Sequence, residues 1–185
     1  MPKLSREDQA KIKEWRAFVR QRPAQVEIPG PGQESVWDYP RPPRVDAVSE
    51  LIRVEFGGEL LAESERALRV VETASPPVYY LPPEDVRTEF LAPSKHSTLC
   101  EWKGRARYWH VQVGEERQPN AVFSYPDPLE SFEAIAGYMA FYPQKMGACF
   151  VGQEQARPQA GHFYAGWITS AIVGPFKGEP GTEAW

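Results

Sequence analysis

Cysteine is scarce in this 185-residue chain, with only Cys100 and Cys149 present. Two thiols cannot build the disulfide framework of a small secreted domain, and without a Cys-x-x-Cys pair they cannot seed a structural zinc site. Both are expected to be reduced and unbridged. Histidine is hardly more abundant, with only His96, His110 and His162, and the two thiols lie far apart in sequence, so no metal and no cofactor is expected. No window approaches the roughly 20 apolar residues of a membrane span, and "MPKLSREDQAKIKEW" at the start has no apolar signal segment. The expectation is a cytoplasmic protein without a membrane partner. Positive charge is not in excess either. With a formal net charge of −4 and a pI near 5.5 there is no basic field to attract nucleic acid.

Proline and glycine, at 19 and 14 residues, are plentiful and favour many turns and short elements over long helices. The length suits one domain with extensions: residues 1–45 as a helix and Pro-rich arm, 46–157 as a β domain, and 158–185 as a Gly/aromatic tail. Ser5 followed by Asp8 forms a capping-box pattern, and Ile12, Trp15 and Val19 recur at helical spacing beside Phe18, predicting a helix over Arg6 to Arg20. In the arm, "RPAQVEIPGPGQESVWDYPRPPRV", Trp37 and Tyr39 are expected to pin extended chain to a surface. From Leu51 the runs become β-rich. "LIRVEF" and "ELLAES" flank Gly57-Gly58, a tight hairpin, followed by strands at "ALRVVE" and "PVYYL". Pro82-Pro83-Glu84-Asp85 opens a helical turn with Asp85 as a helix-start residue. Further strands are expected at "AVFSY" and "GACFVGQ", with a short helix entering a strand in "LESFEAIAGYMAFY". The fold class is mainly β: two packed antiparallel sheets, an N-terminal helix and an irregular tail. In that tail Phe163, Trp167, Phe176 and Trp185 should bury, with the tail or the arm meeting the first helix, in one chain or across a possible homodimer.

Chemistry concentrates in Leu91 to Val111, "LAPSKHSTLCEWKGRARYWHV". If Lys103-Gly104 sits in a loop of two or four residues, Cys100 lies opposite Arg107, Thr98 opposite Trp109 and Ser97 opposite His110; an odd loop shifts this register. Cys100 is then a candidate nucleophile beside a guanidinium, with His96 and Lys103 near in sequence, although strand alternation sends Cys100 and Lys103 to opposite faces. The bland alternative is an inert thiol. Ser97 with His110 is a second candidate pair, lacking a carboxylate to orient the imidazole. The aromatics offer a broader reading. Tyr79, Tyr80, Trp102, Tyr108, Trp109 and Tyr125 recur on strands, so that Tyr80, Trp102, Tyr108, Trp109 and Tyr125 could line a ligand cup with Lys103 and Arg107 receiving an anionic group.

The motifs "VVETASPPVYYLPPEDV", "LAPSKHSTLCEWKGRARYWHV", "VFSYPDP" and "IAGYMAFYPQKMGACFVG" resemble, in this order, the bacterial and fungal family named domain of unknown function 427. The resemblance spans Val45 to Val151, and the flank "AGWITSAIVGPFKG" is similar to longer members in photosynthetic bacteria. It implies a β domain of two steeply packed antiparallel sheets, β-tent-like, with no agreed activity. A nucleotidyltransferase label also attaches to the family. That chemistry needs a Gly-Ser loop and spaced carboxylates for Mg²⁺, and neither Asp-x-Asp nor such a loop is present, the nearest pattern being Glu63-Ser64-Glu65. The zinc of β-tent folds is not implied either, since both Cys-x-x-Cys pairs are missing. Three functions therefore stand: a module binding an unknown small molecule, an enzyme using Cys100 or Lys103 near Arg107, or an interaction module acting through arm and tail.

Overall fold

Ser5 Oγ accepts the Asp8 amide at 3.0 Å and Asp8 Oδ2 accepts the Ser5 amide at 3.3 Å, so the helix begins on the capping box its sequence predicts. In this computed structural model, which describes residues 4–182 and 184–185, the helix α1 spans Arg6–Ala17. Residues 1–3 and Glu183, parts of the expected N-terminal segment and tail, lie outside the described residues. The helix stops short of Arg20 because the following chain finds better partners when extended: Arg20 bonds the Trp185 backbone oxygen and Glu72, and the Gln21 amide reaches Ala184 O at 2.8 Å. Ile12 is buried, while Val19 is 82% exposed, so the expected apolar stripe is only partly covered.

The strands, in chain order, are β1 (Glu34–Ser35), β2 (Arg44–Ala47), β3 (Ile52–Phe56), β4 (Glu59–Ser64), β5 (Leu68–Glu72), β6 (Ser75–Leu81), β7 (Leu91–Cys100) and β8 (Gly104–Val113). They continue with β9 (Glu116–Ser124), β10 (Met139–Phe141), β11 (Ala148–Val151), β12 (Glu154–Gln155), β13 (Arg157–Pro158), β14 (Trp167–Ile168) and β15 (Ile172–Val173). A seven-stranded antiparallel sheet runs β2-β5-β6-β10-β9-β8-β7, and a four-stranded antiparallel sheet runs β12-β11-β3-β4. Neither closes into a barrel. The β3–β4 hairpin turns on Gly57 and Gly58, whose φ angles of 59° and 79° match the two left-handed positions of a type I′ turn.

Alternation along the central strands divides the large sheet into two apolar faces. Tyr79, Leu81, Val122, Met139 and Phe141 point toward the four-stranded sheet and pack on Ile52, Val54, Leu61 and Cys149. Tyr80, Tyr108, Phe123, Tyr125 and Ala140 point the other way and belong to a second cluster. Trp37 and Tyr39 of the arm are buried in a third cluster with Ile168 and Ile172 of the tail. Trp167 is fully buried in the inter-sheet core, its indole N–H donating to Phe141 O at 3.2 Å and its ring 5.0 Å from Tyr79. Phe163 departs from the expected burial and is 68% exposed. The tail meets the chain just after α1, while the arm reaches the helix itself through Arg41, which donates to the Trp15 backbone oxygen. Asp85 also does more than begin a turn: it accepts from Ser64 Oγ and Arg66 at 2.6 Å each, tying the 83–85 turn to the end of β4.

Candidate functional site

The β7–β8 hairpin is built on an odd loop. Cys100 pairs with Gly104, Leu99 with Arg105, Thr98 with Ala106 and Ser97 with Arg107, leaving Glu101, Trp102 and Lys103 as a three-residue connection. Gly104 follows with φ of 93°, as a three-residue hairpin with a left-handed closing residue requires. The expected neighbours Cys100–Arg107, Thr98–Trp109 and Ser97–His110 are thereby corrected. A second shift, between Pro93 and Ser97, puts His110 opposite Ala92. The Ser97 hydroxyl donates to Ala106 O at 2.9 Å, and His110 Nδ1 accepts the Asn120 amide at 3.1 Å, stitching a bulge between β8 and β9. Ser97 and His110 thus serve the backbone and do not meet as nucleophile and base.

One row of paired residues crosses the second face of the large sheet: Leu68, Tyr80, Ala140, Phe123 and Tyr108, on β5, β6, β10, β9 and β8. The short Ala140 between Tyr80 and Phe123 lets their rings meet edge to face at 6.1 Å. Tyr142 joins from the end of β10, 5.2 Å from Phe123, and Tyr125 stands 6.1 Å from the same ring. These rings floor a cavity of about 570 Å³. Its remaining walls come from Trp15 and Phe18 of the helix region, Phe163 and Tyr164 of the tail, and Cys100 and Lys103 at the hairpin end.

Charge gathers on one side of the cup. Glu72, at the end of β5, accepts from Arg20 at 3.0 Å and from Arg41 at 2.5 Å, and Arg41 also reaches Glu101 at 3.3 Å. Arg16 and Arg41 both lie over the Trp102 ring, at 4.8 and 5.2 Å from its centroid. Lys177 donates to the Trp185 backbone oxygen at 2.7 Å; burial and then Arg20 push its pKa down to about 8. Around Lys103 burial opposes the charge, but Cys100, Tyr80, Glu72 and Glu101 together raise its pKa above the ordinary lysine value. Burial also pushes the phenols of Tyr80, Tyr125 and Tyr142 upward, so they stay protonated at neutral pH and can donate.

A family model matches residues 44–152, more than half of the chain. The chain belongs to the family described as a domain of unknown function, DUF427. No curated protein matches it. The DUF427 segment contains the whole ring floor together with Cys100 and Lys103. Arg20, Arg41, Phe163 and Lys177 all lie outside it. The cup is therefore a DUF427 sheet face roofed by the chain's own flanks.

Of the residues singled out from the DUF427 sequence, Tyr80, Lys103, Tyr108 and Tyr125 line the cavity together with Cys100. Cys100 and Lys103 share the cup because Lys103 is a loop residue, exempt from the alternation that was expected to separate them. Trp102 is buried behind the wall, under Arg16 and Arg41. Arg107 is exposed and outside the lining, and Trp109 packs against the inter-sheet core. His96 is exposed, its ring 4.5 Å from that of Tyr108. The Cys100 thiol contacts Glu101 Oε2 at 3.8 Å, whereas Cys149 is buried between the sheets, where burial raises its pKa. Sequence reading missed Phe123 and Tyr142. The alternation in "AVFSY" was the available signal for Phe123, since it puts Phe123 on the same face as Tyr125. Among the described residues, no three His, Cys, Asp or Glu side chains converge as metal ligands.

Proposed function

We propose that this protein is a small-molecule-binding module whose ligand lies in the aromatic cup on the outer face of the seven-stranded sheet. The observation that carries the reading is the cavity itself: about 570 Å³, floored by rings from four strands or their ends and lined by a few polar groups. Its size and its apolar lining with convergent polar tips are those of ligand pockets generally. The binding reading is preferred to a catalytic one because the thiol in the cup has the neighbouring Glu101 as its hydrogen-bond partner, with no imidazole within bonding reach among the described residues.

The test is ligand-observed NMR with a set of neutral and charged ring-bearing fragments, on the wild-type chain and on Val78→Trp. Val78 lines the cavity from a β-strand, where an aromatic residue is tolerated and would occupy the space. Fragments should contact the wild type and lose contact in the folded variant. Equal contact with both chains, or none with the wild type, would refute the reading.

A further inference from the structure

The polar groups of the cup are unevenly employed. Arg20 and Arg41 are held by Glu72, Arg41 additionally by Glu101, and Lys177 by a backbone oxygen. Lys103 is different: among the described residues its ammonium has neither an ion pair nor a hydrogen bond, although it lies over the face of Tyr125, 5.7 Å away, and feels Cys100, Tyr80, Glu72 and Glu101 without bonding them. Two phenols share that condition. Tyr80 and Tyr125 are 0% and 5% exposed, both line the cavity, and neither hydroxyl has a hydrogen-bond partner among the described residues. Tyr108 and Tyr142 show the ordinary arrangement, bonding Thr98 and each other at 2.9 and 3.4 Å. Both residues line the same cavity as the unpaired ammonium, so their hydroxyls are free to donate to a ligand there.

We infer that the cup takes a ring-bearing monocarboxylate, its carboxylate received by Lys103, Tyr80 and Tyr125; this rests on the binding-module reading above. Three donors, none bonded to an acceptor among the described residues, match a group that only accepts hydrogen bonds. The charge balance fixes a single negative charge. The lining contains the cations Arg20, Arg41, Lys103 and Lys177 against the carboxylates Glu14, Glu72 and Glu101, an excess of one. A phosphoryl group would call for a free arginine fork, and both terminal nitrogens of Arg20 and Arg41 are already taken, by Glu72, Glu101 and the backbone oxygens of Trp15 and Trp185. A cationic ligand would face Lys103 unscreened. The rest of the ligand meets the rings of Tyr80, Phe123 and Tyr142, surfaces that favour a flat apolar body.

The experiment is a calorimetric titration of the full chain with 2-naphthoate, its neutral amide 2-naphthamide, and naphthyl phosphate. Naphthoate should bind about 10- to 100-fold more tightly than the amide, the range of a charge-assisted hydrogen bond. Lys103→Met should reduce the preference for naphthoate over the amide at least about tenfold. Tyr80→Phe and Tyr125→Phe, which keep the rings and remove only the hydroxyls, should each weaken naphthoate several-fold, and they hold the inference to account should Lys103→Met fail to fold. Amide and carboxylate binding equally would overturn the inference and leave the binding-module reading standing. Tighter binding of naphthyl phosphate would overturn it in favour of a phosphoryl ligand. If no naphthyl compound binds, the inference fails, and the fragment comparison with Val78→Trp then decides separately on the cup.

Discussion

Replacing Glu72 with alanine tests how the flanks are held to the sheet. Glu72 is the acceptor for both Arg20 and Arg41, and all three side chains are less than one-fifth exposed. Removing it leaves two guanidinium groups inside the cup wall, Arg41 with Glu101 and the Trp15 backbone oxygen, and Arg20 with the Trp185 backbone oxygen. Breaking a buried charge pair from one side costs about 3–5 kcal/mol, and the residual solvent access here places the expected loss near the lower figure, about 3 kcal/mol. For a chain of this length that corresponds to a drop in melting temperature of roughly 6–12 °C. Urea unfolding of the wild type, Glu72→Ala, Arg41→Met and the double variant measures it. The double variant should be more stable than the sum of the single losses by at least about 1 kcal/mol, because it no longer strands one charge. A loss below about 1 kcal/mol with additive singles would mean that these bridges behave like exposed pairs, and the account of the flanks as a charge-locked roof would be refuted.

Trp167→Ala should cost about 3–5 kcal/mol in urea unfolding, since the fully buried ring leaves a cavity between the sheets and strands Phe141 O; a loss under 1 kcal/mol would make the tail a mere appendage. Lys177 has a folded pKa of about 8 against an ordinary value of 10.5, so between these pH values the unfolded chain holds the proton that the folded chain has released, and this group's contribution to stability rises with pH. Unfolding at pH 7 to 10.5 should show that rise in the wild type relative to Lys177→Met; an unchanged difference between the two would contradict the assignment.

Local chemistry made part of the fold legible in the sequence. Ser5 with Asp8 and the Gly57-Gly58 dipeptide each specify one backbone geometry, and both formed as read. The Lys103-Gly104 dipeptide did not specify loop length, because a glycine at a left-handed position closes a three-residue loop as readily as it sits inside a two-residue one. The loop fell at Glu101, Trp102 and Lys103 instead of centring on Lys103-Gly104, a change of three positions that moved every neighbour on β7 and β8 and removed the Cys100–Arg107 and Ser97–His110 pairs. The strand at "AVFSY" extends back to Glu116 through Arg117, Gln118, Pro119 and Asn120, a polar stretch held by its pairing with β8 rather than by its own propensity. The floor of the candidate site was half visible, since Tyr80, Tyr108 and Tyr125 stand on alternating strands. Its charged wall was not, because Arg20, Arg41, Glu72 and Lys177 meet only after the helix, the arm and the tail have docked.

That division has an energetic consequence for the proposed ligand. The ring floor and Lys103 belong to the DUF427 segment, whereas the engaged arginines belong to the flank that covers them. A ligand held between floor and roof binds only the docked arrangement, so it stabilises docking by mass action. At 100 times its dissociation constant the gain is about 2.7 kcal/mol, close to what Glu72→Ala is expected to remove. Naphthoate at that concentration should therefore restore most of the melting temperature lost in Glu72→Ala, and should do so in the wild type by a similar increment. If instead it stabilised the wild type and left the variant unchanged, the arginine-bearing roof would have to be part of the ligand contact itself, and the carboxylate would belong beside Arg20 and Arg41 rather than Lys103.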